Sequence, residues 1–328
     1  MKCINKRKII ILAVIGFILT TLSSCGKKTE YPFKYDVYDT SDEYGLIRVN
    51  GSSKITTFAN DLCVVGTDNI TLENINIADS AGAGLFDLKR KNVLYSKNCH
   101  TKLYPASTTK ILTALVALKY GNLADEITVS NEAVDLPSDA SSCHFSAGDK
   151  ITLEQALYGL LICSGNDAGN AIAEHMSGSV EEFAALMNKE AKSLGATNSH
   201  FVNPHGLHDD QHYTTVYDLY LIFKEVIKND EFIKIINTNE YTANYTDANG
   251  KATTTTWSAT NRYITGVEEE PDGANVIGGK TGTTFDAGSC LVLLSENTNH
   301  EQYISIILKA DGKTLLYAGM SDLLRNIN

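Results

Sequence analysis

Val276-Ile277-Gly278-Gly279-Lys280-Thr281-Gly282-Thr283 is followed by Ser289-Cys290-Leu291-Val292-Leu293-Leu294 and then by Tyr303-Ile304-Ser305-Ile306-Ile307-Leu308. These late runs, separated by turn residues, read as strands. A helix over about Thr314–Leu324 comes after them. Working back toward the start, Ala83–Leu88 and Val93–Tyr95 read as two further strands joined by a turn, and Cys63-Val64-Val65 reads as strand material. The chain between is helical in texture. Ile111-Leu112, Leu115-Val116 and Leu118 recur at helical spacing after Ser107. Thr152-Leu153-Glu154-Gln155 opens a helix with a capping box, in which the threonine oxygen and the glutamine satisfy free end N–H groups. Ser179-Val180-Glu181-Glu182 opens another, running to about Leu194, and Thr215–Ile227 makes a further amphipathic one. Strands at both ends with helices between them predict a single α+β layered domain. Its N- and C-terminal strands meet in one antiparallel sheet packed with the helical region. A length of 328 residues would by itself suggest about two domains; the returning strands argue for one.

With 43% hydrophobic and 20% charged residues, the chain can bury a sizeable core. That composition excludes a disordered tail, a collagen-like fibre and a small disulfide scaffold. A net charge of −11 argues against nucleic acid as a partner, which needs a basic face. The N-terminus divides into a basic segment (Lys2, Lys6, Arg7, Lys8), the apolar run Ile9–Leu22, and Leu22-Ser23-Ser24-Cys25-Gly26. The apolar run is short for a spanning helix and right for a signal-peptide core. Residues 26–58 are polar and read as a tether. Past Cys25 come Cys63, Cys99, Cys143, Cys163 and Cys290, odd in number and without CxxC spacing. They read mostly as buried free thiols, with a Cys63–Cys99 bridge the one pairing to consider.

Three short motifs carry chemistry. Ser107-Thr108-Thr109-Lys110 opens a helix, so serine and lysine share a face and the amine can reach the hydroxyl. Serine is a weak nucleophile until a neighbouring base takes its proton. A lysine serves as that base once burial or nearby positive charge lowers its pKa. Ser164-Gly165-Asn166 lies between two helices, where a hydroxyl could relay a proton and an amide could hold a peptide carbonyl. Lys280-Thr281-Gly282 ends a glycine-rich strand on which a substrate backbone can lie. Each is weak alone: Ser24-x-x-Lys27 and Ser295-Glu296-Asn297 have the same forms as the first two. In this order and together they are much stronger.

With Pro105-Ala106 before the first motif, Cys163 and Asp167-Ala168 around the second, Asn203-Pro204-His205-Gly206-Leu207, Thr283-Thr284 after the third, and Ala287-Gly288-Ser289-Cys290, the chain resembles the serine-type D-alanyl-D-alanine carboxypeptidases. These are low-molecular-mass penicillin-binding proteins of peptidase family S11 with a β-lactamase/transpeptidase-like fold, and the resemblance covers roughly residues 60–325. It implies that Ser107 attacks the carbonyl between two terminal D-alanines of a peptidoglycan stem peptide while Lys110 takes its proton. It further implies that Ser164 relays a proton to the leaving nitrogen, Asn166 orients Lys110 and the substrate, and Lys280 with Thr281 holds the terminal carboxylate. The backbone N–H groups of Ser107 and Thr283 would form the oxyanion hole, with Gly282 and Thr283 counted among the substrate-binding residues beside Lys280 and Thr281. No metal or organic cofactor is implied, and β-lactam antibiotics should acylate Ser107. The small residues before Cys25 likewise resemble a bacterial lipobox. Residues 1–24 would then be a lipoprotein signal peptide, residues 25–58 a tether lipidated at Cys25, and residues 59–328 the catalytic domain. Cleavage removes four cations and no anion, so the mature charge would fall from −11 to −15, and lipid would hold an exported, acidic body on the extracytoplasmic face of a bacterial membrane.

Departures and rivals follow from the same residues. The chain ends soon after the catalytic body, so the β-rich C-terminal domain and terminal amphipathic anchor carried by many members are expected to be absent. Some members also place an arginine near the last strand to bind the carboxylate. Between Tyr303 and Leu324 only Lys309 and Lys313 are available. A class A β-lactamase needs a glutamate on the loop corresponding to Phe201–Leu207, which has none. A transpeptidase shares the chemistry and differs in its acceptor. From other classes, His205, His208 and His212 with Asp209 and Asp210 raise a zinc peptidase, and a broken motif would have pointed to a non-catalytic penicillin-binding sensor. Asp167 reads as a charge complementing a helix N-terminus, and Trp257 as a packing residue in a hairpin turn.

Overall fold

The computed structural model describes residues 59–77 and 79–327. The expected leader, Cys25 and the whole of the tether lie outside the described residues. The described residues from Asp61 onward form one compact unit. It opens with strands β1 (Ser80–Asp87) and β2 (Asn92–Lys97), then a 3-10 turn at Ala106–Thr109 running into helix α1 (Lys110–Tyr120). Next come β3 (Glu126–Thr128), α2 (Asn131–Val134), β4 (Lys150–Thr152), α3 (Leu153–Leu161), α4 (Asn166–Ser177), α5 (Val180–Ser193), α6 (Val216–Val226) and α7 (Asp230–Ile236). The chain closes with β5 (Glu240–Thr246), β6 (Ala252–Ser258), β7 (Ala274–Thr284), β8 (Gly288–Asn297), β9 (Gln302–Ala310) and α8 (Lys313–Leu324).

The main sheet is antiparallel with strand order β2-β1-β9-β8-β7, so the first and last strands do meet, through β1 against β9. Its strand β8 is apolar without a break from Cys290 to Leu294 because both faces are covered. Successive side chains of a strand point to opposite faces. Thus Cys290, Val292 and Leu294 of β8 enter the larger core with α1, α3 and α6, while Leu291 and Leu293 enter a second core with Leu316, Met320 and Leu323 of α8. Each such fully buried side chain contributes on the order of 1.5–3 kcal/mol. Local chemistry sets the helix starts. Thr152 and Gln155 form the expected capping box of α3, and Ser179 and Thr215 accept from backbone N–H groups at the starts of α5 and α6.

Two expectations are corrected. Cys63-Val64-Val65 is not a strand: Cys63 and Val65 are buried while Val64 faces solvent, and the Cys63 N–H is satisfied by the Tyr220 hydroxyl at 2.8 Å. Burial without pairing accounts for that apolar run. Trp257 lies in a strand, not in a turn. The β-branched run Thr253–Thr256 favours extended backbone and forms β6, which pairs with β5 in a second sheet of order β3-β4-β5-β6. Its expected packing role holds. The indole is buried, stacks on Tyr241, meets Phe145 edge-on and donates from Nε1 to the Cys143 carbonyl at 3.3 Å.

Candidate active site

Ser107 sits in the 3-10 turn that leads into α1, which leaves its hydroxyl partly exposed at the start of a buried helix. The preceding residue, Ala106, is held at φ +48°, in the left-handed region that a side chain normally avoids. A short relay fixes it there. The Val202 N–H donates to His212 Nδ1 (3.2 Å), so that nitrogen is the acceptor and the imidazole proton is on Nε2. Nε2 lies 2.8 Å from Thr109 Oγ1, and that hydroxyl donates to the Ala106 carbonyl at 2.8 Å. Burial keeps His212 neutral, with its pKa lowered to about 4.

Lys110 follows one turn on, wholly buried, with Nζ 3.0 Å from Ser107 Oγ, 2.6 Å from Asn166 Oδ1 and 2.8 Å from the His205 carbonyl. Burial pulls its amine well below the ordinary lysine range, and the charge of Lys280 acts in the same direction. A neutral amine has two N–H groups and one lone pair. The Asn166 and His205 oxygens can only accept, so they take the two N–H groups and the lone pair is left facing the Ser107 hydroxyl.

Ser164 and Asn166 flank the turn before α4. Ser164 stands at φ +64°, and Asn166 begins the helix, its N–H donating to the Ser141 carbonyl at 2.8 Å. Lys280 projects from β7 to meet them. Its amine is fully buried, 3.0 Å from Ser164 Oγ and 2.9 Å from the Thr281 carbonyl, and burial lowers its pKa to about 7. Gly282 is where β7 passes the Ser107 turn. A β-carbon there would lie 2.9 Å from the Ser107 nitrogen and 3.0 Å from both the Pro105 oxygen and the Thr108 nitrogen. The three motifs, far apart in sequence, therefore converge on one cleft, lined by Ser107, Ser164, Thr281, Gly282 and Thr283.

The far end of that cleft was not foreseen. Arg262, from the segment after β6, and Lys313, at the start of α8, both line it. The Arg262 guanidinium lies over the Tyr317 ring, 5.1 Å from its centroid. Among the described residues no carboxylate lines the cleft, so Arg262 and Lys313 give that end a positive character. Of the two lysines weighed at the last strand, Lys313 reaches the cleft; Arg262 gave no sequence signal. Asp167 is in the first turn of α4 as expected, and it also accepts from the Cys143 N–H (2.8 Å), the Phe145 N–H (3.2 Å) and the Ser142 hydroxyl (2.6 Å). It thereby fixes the Ser141–Phe145 wall.

The histidines considered as metal ligands are engaged separately. His205 is buried with Nδ1 accepting from the Leu207 N–H, His212 serves the Ala106 relay, and His208 packs edge-on against Tyr104. Among the described residues, no group of three His, Cys, Asp or Glu is placed to hold a metal ion.

Residues 71–312 match the family described as D-alanyl-D-alanine carboxypeptidase. The chain is 37% identical over 228 residues to the D-alanyl-D-alanine carboxypeptidase DacF of Bacillus subtilis, covering 67% of this chain and 55% of that protein. It is 37% identical over 210 residues to the D-alanyl-D-alanine carboxypeptidase of Streptomyces sp. strain K15, covering 61% and 70%. The matched stretch thus spans only about half of the Bacillus relative. Among solved structures, the Streptomyces K15 DD-transpeptidase superimposes with a TM-score of 0.69 at 29% identity, covering 80% of this chain and 98% of that one.

Proposed function

The chain belongs to the D-alanyl-D-alanine carboxypeptidase family, and from that premise we propose that it removes the terminal D-alanine from peptidoglycan stem peptides through an acyl-enzyme on Ser107. The observation that carries this reading is the set of three contacts at Lys110 Nζ, which aims a lone pair at the Ser107 hydroxyl. Ser107 Oγ attacks the penultimate D-alanine carbonyl as Lys110 takes its proton. The developing oxyanion is received by the Ser107 and Thr283 N–H groups, each such donor being worth roughly 10²–10³ in rate. Lys280 donates to Ser164 Oγ, which leaves the Ser164 proton available for the departing nitrogen. The C–N bond breaks, D-alanine leaves, and water cleaves the ester to regenerate Ser107. The terminal carboxylate lies toward Thr281 and Lys280, with Arg262 and Lys313 supplying further positive charge.

Brief exposure of the full chain to penicillin should add the mass of the opened β-lactam to the wild type and nothing to Ser107→Ala. An adduct lasting minutes supports the peptidase, and loss within seconds supports a β-lactamase; among the described residues no carboxylate lines the cleft. No D-alanine release from any diacylated Lys-D-Ala-D-Ala peptide would overturn the proposal. A second reading, transpeptidation, is favoured by the name of the Streptomyces K15 structure. It predicts that an added amine such as glycylglycine captures the acyl group in place of water.

The same proposal places the enzyme outside the cytoplasm, lipid-anchored at Cys25. It is supported by the basic segment, the short apolar run and the small residues before that cysteine. Incorporation of labelled palmitate, lost in Cys25→Ser, tests the anchor.

A further inference from the structure

Two thiols with no part in the chemistry above meet behind the cleft wall. Cys143 belongs to the Ser141–Phe145 wall and Cys163 immediately precedes Ser164. Both are free thiols, with their Sγ atoms 3.5 Å apart. Neither is free to turn away. The Cys143 backbone is pinned on both sides, its N–H by Asp167 and its carbonyl by Trp257. Its sulfur occupies space left by Gly159 and Gly165, where a β-carbon on either would overlap it. Cys163 Sγ is steered by the Gly159 carbonyl, to which it donates at 3.2 Å. Cys143 is 1% exposed, whereas Cys163 is partly exposed and can be reached from solvent.

We propose that Cys143 and Cys163 form a redox pair. Under oxidising conditions it closes to a disulfide and, by drawing the residue before Ser164 toward the Ser141–Phe145 wall, slows the reaction at Ser107. The oxidant is a small or protein disulfide. The Cys163 thiolate attacks one of its sulfurs and releases one thiolate, leaving a mixed disulfide. Cys143 gives up its proton to that thiolate, attacks Cys163 Sγ and expels the second thiolate. Two protein thiols are oxidised to one disulfide, and the oxidant disulfide is reduced to two thiols. The order follows from access, and the thiol chemistry agrees. The hydrogen bond from Cys143 lowers the Cys163 pKa, while burial drives that of Cys143 well up.

The effect on Ser107 follows from what lies next to Cys163. Closing the gap to a bond length of about 2 Å moves Cys163 off the Gly159 carbonyl. Ser164, already in the left-handed region and holding the Lys280 amine, must follow. Displacements of about 1 Å in such a constellation cost up to roughly 10²-fold in rate. The bridge does not depend on the catalytic assignment, but its effect on acylation rests on the acyl-enzyme reading above.

The test treats the full chain with oxidised glutathione, alkylates the remaining thiols and maps peptides by mass, with penicillin acylation followed in parallel. Expected are a Cys143–Cys163 linked peptide, acylation slowed about 10- to 100-fold, recovery with dithiothreitol, and a Cys163→Ala variant indifferent to the oxidant. A glutathione adduct that stops at Cys163, or unmodified thiols, would overturn the pair. A bridge with an unchanged acylation rate would overturn its control of Ser107. Failure of the reduced enzyme to acylate would instead count against the acyl-enzyme, while the linked peptide still decides the bridge.

Discussion

Lys280 Nζ reaches from the edge strand β7 to Ser164 Oγ at 3.0 Å, so the third motif holds the second in place through one buried amine. With its pKa near 7, that amine changes charge in the range where the enzyme would work.

The pH profile should therefore be bell-shaped. Acylation rises as Lys110, lowered well below 10.5, loses its proton, and kcat/KM falls near pH 7 as Lys280 in the free enzyme loses its charge. A bound carboxylate favours the charged form, so the falling limb of kcat should lie at higher pH. Rates measured from pH 4 to 10 with a carboxylate-terminated peptide check both limbs. A kcat/KM that keeps rising through pH 8 contradicts the role given to Lys280.

Lys110→Met should lower penicillin acylation by about 10²–10⁴-fold, the usual worth of a positioned base. The variant should stay folded, because the methionine replaces a buried amine with an apolar chain of similar length. Quenched-flow mass spectrometry of the adduct gives the rate; a loss under tenfold would mean that another group takes the Ser107 proton.

Lys280→Met should stabilise the protein while disabling it. The folded pKa lies below the unfolded 10.5, so between about 7 and 10.5 the unfolded chain binds more protons and stability rises with pH. The stability withheld below pH 7 is returned when no proton-binding group is buried, a gain of about 3 kcal/mol after its lost hydrogen bonds. Urea midpoints at pH 6 and pH 10 should show that gain shrinking at the higher pH.

Arg262→Ala should raise KM about tenfold for peptides ending in a free carboxylate and leave the matching C-terminal amides nearly unchanged. Lys313→Ala, exposed at the cleft mouth, should do less. Equal effects on acid and amide would show that Arg262 acts only by packing on Tyr317.

Gly282→Ala should cost roughly 10² in acylation, since a β-carbon there pushes β7 off the Ser107 turn. Circular dichroism should be unchanged. Wild-type rates in this variant would show that the close approach has no bearing on the oxyanion site.

Most of the sheet could be read from the chain because hydrophobic periodicity is a local property, whereas the convergence of Ser107, Lys110, Ser164, Asn166 and Lys280 was legible only through the family resemblance that their motifs carry. What could not be read is contact between distant segments. Asp167 looked like a helix-end charge and is one, but its hold on the Cys143 and Phe145 N–H groups joins positions 22 to 24 apart that no local pattern links. Arg262 sits in an undistinguished polar run, and only the return of α8 beside it makes it part of the cleft. The β5–β6 hairpin was missed for a related reason: its threonines look polar in sequence, and their preference for extended backbone shows only once a partner strand is present.

The indole described in β6 is the chain's sole tryptophan. It is hydrogen-bonded to the wall that Asp167 fixes. Excited beyond the absorption of the 16 tyrosines, its emission therefore comes from one place. Light excited at the red edge of its absorption band reads the surroundings of the Cys143 carbonyl directly. Any ligand, acyl group or bridge that displaces that wall becomes visible as a colour change, without a label.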